Sequence, residues 1–98
     1  MIFEQLLTAG GYNSSGCKNR CEINHICCDS RLAGPNSVFV CIRGILTDGH
    51  LYACRAYDSG CRCYVAVEPL DLPDDCDIIY TGDTRLALAR LSDIVYDH

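Results

Sequence analysis

Residues 27–50 read CCDSRLAGPNSVFVCIRGILTDGH, and the fold turns on them. An apolar run, INHICC (23–28), stops at Asp29-Ser30-Arg31. A second, VFVCI (38–42), gives way to GILTDGH (44–50). Short apolar runs bounded by Gly, Pro, Asn and Ser have the length and flanks of buried strands, and the second, all apolar, reads as buried on both faces. LAGPNS between them is a turn by composition. Two adjacent buried strands that stop in polar residues at the same end leave backbone groups without ladder partners, and such ends are where ligands bind in open α/β sheets.

The pattern extends in both directions. Ile2, Phe3, Leu6 and Leu7 share one helical face, and Gly10-Gly11 ends that helix. Residues 12–22 read as a polar loop. Asp48 is placed to cap a helix over 50–58 that Gly60 stops, CYVAVE (63–68) reads as a third strand and CDIIY (76–80) as a fourth. Asp83 caps a last helix in which Ala87, Leu88, Leu91, Ile94 and Val95 share a face. This order predicts one small α/β domain with a mixed or mostly parallel sheet of about four to five strands flanked by helices.

Composition narrows the function. The 98 residues suit one domain, and 49% apolar content is enough for a core. No apolar run nears the ~20 residues a membrane helix needs, so no membrane partner is expected. The opening MIFEQLLTAGG lacks the basic start and unbroken apolar stretch of a signal peptide, which predicts a cytoplasmic protein. Net charge is −5 with the eight Lys and Arg scattered, so nucleic acid is not an expected partner.

Nine cysteines are an odd number and lack a secretion signal, which argues against a disulfide framework. Cys27, Cys28, Cys41, Cys54, Cys63 and Cys76 lie in or beside apolar segments, where reduced cysteine acts as a small hydrophobe. A zinc site built from Cys17, Cys21, Cys27 or Cys28 with His25 is the competing reading. It is disfavoured because Cys27 and Cys28 are adjacent and face opposite sides of a strand, so no metal is expected. His25, in an apolar strand, is expected to be a packed core residue.

No phosphate loop, serine elbow or H-E-x-x-H occurs, so no catalytic residue is assigned and the chain reads as a binding module. Within DSR, Ser30 both donates and accepts, which suits a polar heterocycle such as a pyrimidine. Arg31 offers a guanidinium for phosphate. Its ordinary role would be a salt bridge to Asp29 or Asp48. The 45–50 loop, leading into a helix N-terminus, offers backbone N–H groups to an anion, or is simply a capped turn.

Taken together, CDSR (28–31), GPNSVFVCIRG (34–44), GILTDGH (44–50), SGCRCYVAVE (59–68) and DTRLALARLS (83–92) resemble the N-terminal domain of the Mur ligases. The likeness runs over residues 1–98. It is strongest to the UDP-N-acetylmuramoyl-dipeptide ligase, or tripeptide synthetase, type. No single motif is specific, but their order and spacing are. Two departures stand out. The family's Pro-Gly-Asp turn is here Pro35-Asn36-Ser37, and several positions usually Ala, Val or Ile are Cys.

The resemblance implies that this domain holds the uridine end of UDP-N-acetylmuramoyl-dipeptide. Cys28 (through its backbone), Ser30, Ile45, Leu46 and Thr47 would contact it, with Asp29, Arg31, Asp48, Gly49 and His50 in support. It further implies that ATP and Mg belong to a following domain, a covalent neighbour. The chain alone would then hold no cofactor and perform no catalysis, as an excised or truncated first domain. The alternatives are a cysteine-rich metal or redox module, or the same domain of the sibling ligase that adds the terminal dipeptide. Nine titratable thiols without zinc would exclude the metal module.

Overall fold

The computed structural model describes residues 1–43 and 48–96. Four strands, β1 (His25–Cys27), β2 (Ser37–Val40), β3 (Cys63–Ala66) and β4 (Asp77–Tyr80), form one sheet in the order β1-β2-β3-β4, every neighbouring pair parallel. The expected α/β class and strand number hold, with no antiparallel strand among the described residues.

Alternation along the strands divides the core into two layers. Ile26, Val38, Val40, Cys63 and Val65 face one side, where α1 (Phe3–Gly10) and α3 (Thr84–Tyr96) cover them with Phe3, Leu6, Leu7, Ala87 and Leu91. Cys27, Phe39, Cys41, Tyr64 and Ala66 face the other side, against Ala53 and Ala56 of α2 (Ala53–Asp58). Residues 38–41 are wholly buried, as a doubly covered strand requires. Tyr64 fits there because its hydroxyl donates to the Cys61 carbonyl at 2.9 Å while its ring meets Phe39 edge-on.

Helix ends follow the expected chemistry. Gly11 closes α1 at φ 83°, a left-handed conformation that glycine adopts without penalty. The Asp83 carboxylate accepts from Leu86 N–H at the start of α3.

Two of the expected elements change. The helix expected over 50–58 is a 3-10 turn, Gly49–Tyr52, that passes into a short α2. Strand β3 stops at Ala66 rather than residue 68 because the next N–H groups, of Val67 and Glu68, are donated to the His50 ring instead. As expected, among the described residues the β2–β3 connection is the one that carries an α-helix. The chain crosses from β1 to β2 through a 3-10 turn, Ser30–Leu32, and from β3 to β4 through a loop.

His25 is half-buried at the sheet edge rather than in the core, and its Nδ1 pairs with Tyr96 Oη at 2.8 Å. That hydroxyl also accepts the outward Ile26 N–H at 2.8 Å, capping an edge-strand donor that would otherwise be open to another strand. In the β1–β2 turn, Ser37 stands where the resembling family has an acid. Its hydroxyl accepts from Gly34 N–H at 2.7 Å and donates to Gly34 C=O at 2.8 Å, so serine closes the turn by itself.

The cysteines are all free. Cys27, Cys41, Cys61, Cys63 and Cys76 are buried as small hydrophobes, whereas Cys28 and Cys54 are exposed, against the expectation that both serve as packing residues. Adjacent Cys27 and Cys28 do point to opposite sides, one buried and one exposed. Burial drives the Cys27 and Cys76 thiols up to about 11 and the Cys41 thiol up to about 12, far from the thiolate that a metal or a nucleophilic mechanism requires.

Candidate functional site

The carboxyl ends of β1 and β2 open into a cleft of about 430 Å³, within the size range of small-molecule sites. One wall is the continuation of β1 through Cys28, Asp29, Ser30 and Arg31. The opposite wall is Ile42, just past β2, with Gly49 and Tyr52 of the 3-10 turn and Arg55 of α2.

The first wall takes its shape from Asp29. Its carboxylate accepts from the Arg31 backbone N–H at 2.9 Å and so caps the 3-10 turn. The same carboxylate receives the Arg31 guanidinium in a fork, Nη2 to Oδ2 at 2.7 Å and Nε to Oδ1 at 3.0 Å. This pairing, ahead of the backbone bond, holds the Asp29 carboxyl down at about 2. Arg31 is therefore engaged by its near neighbour, in the surface salt bridge foreseen as its ordinary role. Ser30, by contrast, is buried yet lines the cleft, and its hydroxyl has no hydrogen-bond partner among the described residues.

The second wall depends on the absence of a side chain. Gly49 N–H donates to the Ile42 carbonyl at 2.8 Å, drawing the 3-10 turn onto the end of β2. A Cβ on Gly49 would lie 2.7 Å from Ile42 N and 3.1 Å from Cys41 Cα, both backbone atoms. Only glycine allows that approach.

Asp48 and His50 face away from the cleft. The Asp48 carboxylate accepts from His50 N–H at 3.0 Å, capping the turn as expected. His50 Nε2 accepts from Val67 N–H and Glu68 N–H, each at 3.1 Å, which assigns the ring proton to Nδ1, and Nδ1 donates to Asp48 Oδ1 at 2.6 Å. The imidazole thus ties the turn to the end of β3. Among the described residues, the His50 N–H is committed to the Asp48 cap and the Gly49 N–H to Ile42, so neither is open to an anion, and the 45–47 part of the expected anion site lies outside the described residues.

Asp48, His50 and Glu68 bring ligand atoms within 4.8 Å of one another, the one such cluster among the described residues. Its donor atoms are already committed. Both imidazole nitrogens are bonded as above, and the Arg43 guanidinium bridges the Asp48 and Glu68 carboxylates. The set does not fit a metal; it is a latch of ion pairs and hydrogen bonds.

This latch sets an acid limb. Asp48 is held down from its ordinary 3.8 to about 2, chiefly by the His50 N–H and then by the His50 ring, with Arg43 adding to both. A carboxyl depressed in the folded chain contributes stability above its unfolded value and loses it as pH falls toward the folded one. The contribution is small, because Asp48 is close to solvent. Asp48→Asn, which keeps a cap but no charge, is expected to melt below the parent chain near neutral pH. The gap should narrow between about pH 4 and pH 2. Thermal melts across that range check it; a constant gap would remove the ionic part of the latch.

Of the residues expected at the site, the fold brings Cys28, Asp29, Ser30, Arg31 and Gly49 to one cleft and places Asp48 and His50 behind it. Ile45, Leu46 and Thr47 lie outside the described residues. Ile42, Tyr52 and Arg55 were not foreseen. Tyr52 and Arg55 follow Gly49 on the same turn and helix and Ile42 follows β2, but only the fold shows that they share a cleft with Ser30.

No protein-family model matches the chain. Among curated proteins, it is 44% identical over 82 residues to the UDP-N-acetylmuramoyl-L-alanyl-D-glutamate--2,6-diaminopimelate ligase of Clostridium botulinum, a match covering 81% of this chain and 17% of that protein. The same-named ligase of Listeria monocytogenes is 41% identical over 75 residues, covering 76% of this chain and 15% of the relative. Both relatives are therefore several times longer than this chain. Among solved structures, MurF from Acinetobacter baumannii superposes with a TM-score of 0.75 at 28% identity, over 89% of this chain and 19% of that one. MurF of Thermotoga maritima, solved with ADP, shares the fold at a TM-score of 0.62 and 22% identity, over 72% of this chain and 16% of its own length. Sequence relatives and fold agree with the motifs of residues 28–92: the chain belongs to the Mur ligase family and has the fold of that family's N-terminal domain.

Proposed function

We propose that this chain docks the uridine end of UDP-N-acetylmuramoyl-dipeptide for a cytoplasmic ligase that adds the third amino acid of the peptidoglycan stem peptide. The observation that carries this reading is the Ser30 hydroxyl, set in a cleft at the paired carboxyl ends of β1 and β2 with no partner among the described residues. The names and identities of the diaminopimelate ligases support the substrate class, and their higher identity favours that ligase over the sibling adding the terminal dipeptide.

In this role the chain's residues bind and orient. Ile42 and the half-buried Tyr52 give a planar base apolar surface. Ser30 and nearby backbone groups answer the ring N–H and carbonyls of uracil, which need an acceptor and donors respectively. ATP and Mg act in the part of the protein that follows, the covalent neighbour of this domain.

The test is a titration of UDP into isotopically labelled chain. Amide shifts concentrated at 28–31 and around 42–52 are expected. Ser30→Ala should weaken UDP by about 1 kcal/mol, roughly fivefold, with an unchanged melting curve. Millimolar UDP and UDP-N-acetylmuramoyl-dipeptide both leaving these amides unmoved would defeat the reading.

A further inference from the structure

The charges on the cleft walls are unequal in a way that selects among ligands. The walls carry one carboxylate, Asp29, and two guanidinium groups, Arg31 and Arg55. Asp29 and Arg31 cancel each other through their forked pair. Arg55 has no carboxylate partner among the described residues; its guanidinium carbon sits 5.6 Å from the centroid of the Tyr52 ring. That ring is itself part of the wall, so the cation is steadied at the cleft rather than swept through solvent. A protein of net charge −5 thus presents a cleft with a surplus of one positive charge.

We propose that Arg55 is the anion-contacting residue of this cleft and makes it a site for nucleoside diphosphates in preference to nucleosides. The proposal rests on the uridine reading above and adds to it the group that meets the phosphates. Ser30 and Arg55 line the same cleft, so a base held at Ser30 leaves its 5′ substituent in a space that the Arg55 guanidinium borders. A guanidinium suits that contact because its planar fork pairs two phosphate oxygens at once, which an ammonium cannot do. Arg31, tied down by Asp29 in both backbone and side chain, is the lesser candidate despite lying beside Ser30.

The experiment compares uridine, UDP and inorganic phosphate on labelled parent chain, Arg55→Gln and Arg55→Lys, at low and high salt. Parent chain is expected to hold UDP more tightly than uridine, with the advantage shrinking as salt rises. Arg55→Gln should weaken UDP by about tenfold and leave uridine unchanged, while Arg55→Lys recovers part of the loss. Phosphate alone should bind far more weakly than UDP. Because Arg55 is exposed, all three chains should melt alike. If Arg55→Gln leaves UDP affinity intact while both uridine and UDP still move residues 28–31, Arg55 is not the phosphate contact and the cleft reading survives. If neither ligand moves those residues in the parent chain, the cleft reading falls first and this proposal with it.

Discussion

Gly49→Val is expected to melt roughly 15 °C below the parent chain, a loss of about 3 kcal/mol, and to lose its response to UDP. Overpacking usually costs less when a flexible side chain can move aside. Here the obstacle at 2.7 Å is the backbone nitrogen of Ile42, and Cys41 Cα is next at 3.1 Å. Relief requires the 3-10 turn to swing away from the end of β2, which breaks the Gly49 N–H bond to the Ile42 carbonyl. It also displaces Tyr52 and Arg55 and strains the His50 tie to Val67 and Glu68. Gly49→Ala should show the same effects in reduced form. A thermal melt paired with a UDP titration reads both consequences, and an alanine variant matching the parent in each would mean the turn does not approach β2 this closely.

Asp77→Ala is expected to destabilise the fold by a similar amount, about 3 kcal/mol, while leaving the cleft intact in the molecules that remain folded. Asp77 is buried at the start of β4, and its carboxylate accepts Lys18 N–H at 3.0 Å and Asn19 N–H at 2.8 Å. These bonds anchor the middle of the polar segment 12–22, which has no regular structure of its own. Removing the carboxylate strands its donors and frees the segment that leads into β1. Asp77→Asn keeps one acceptor oxygen and should lose about half as much. Denaturant titration separates the three chains. Equal stability for Asp77→Ala and the parent would show that water replaces the carboxylate without cost.

The contrast between these two sites shows what a sequence reader can and cannot see. The central strand β2 was legible in VFVCI because double burial leaves an unbroken apolar run. The caps at Asp48 and Asp83 were legible because their chemistry is local. The Asp77 anchor was not, since its partners lie 58 and 59 residues away and an aspartate beside a strand looks like a solvated loop end. Tyr52 and Arg55 were hidden for a related reason. A helix of six residues preceded by a 3-10 turn turns its side chains out of the phase that a regular helix over 50–58 would give. The role of His50 was masked too: DGH reads as a turn, and nothing local indicates that the imidazole would end a strand by taking two of its N–H groups.

The division of the cysteines between the two core layers gives the fold its own clock. Cys63 lies under α1 and α3, whereas Cys27, Cys41, Cys61 and Cys76 lie under α2. Each thiol is raised by burial and stays unreactive until its cover lifts. The rate at which a reagent reaches Cys63 therefore times the departure of the two long helices, and the rate at Cys41 times the departure of the short one, within a single unmodified chain. Under oxidising conditions the same arrangement works against the fold. A chain that opens even briefly exposes sulfurs that were separated by a sheet, and any bond formed between the layers keeps that sheet from closing again.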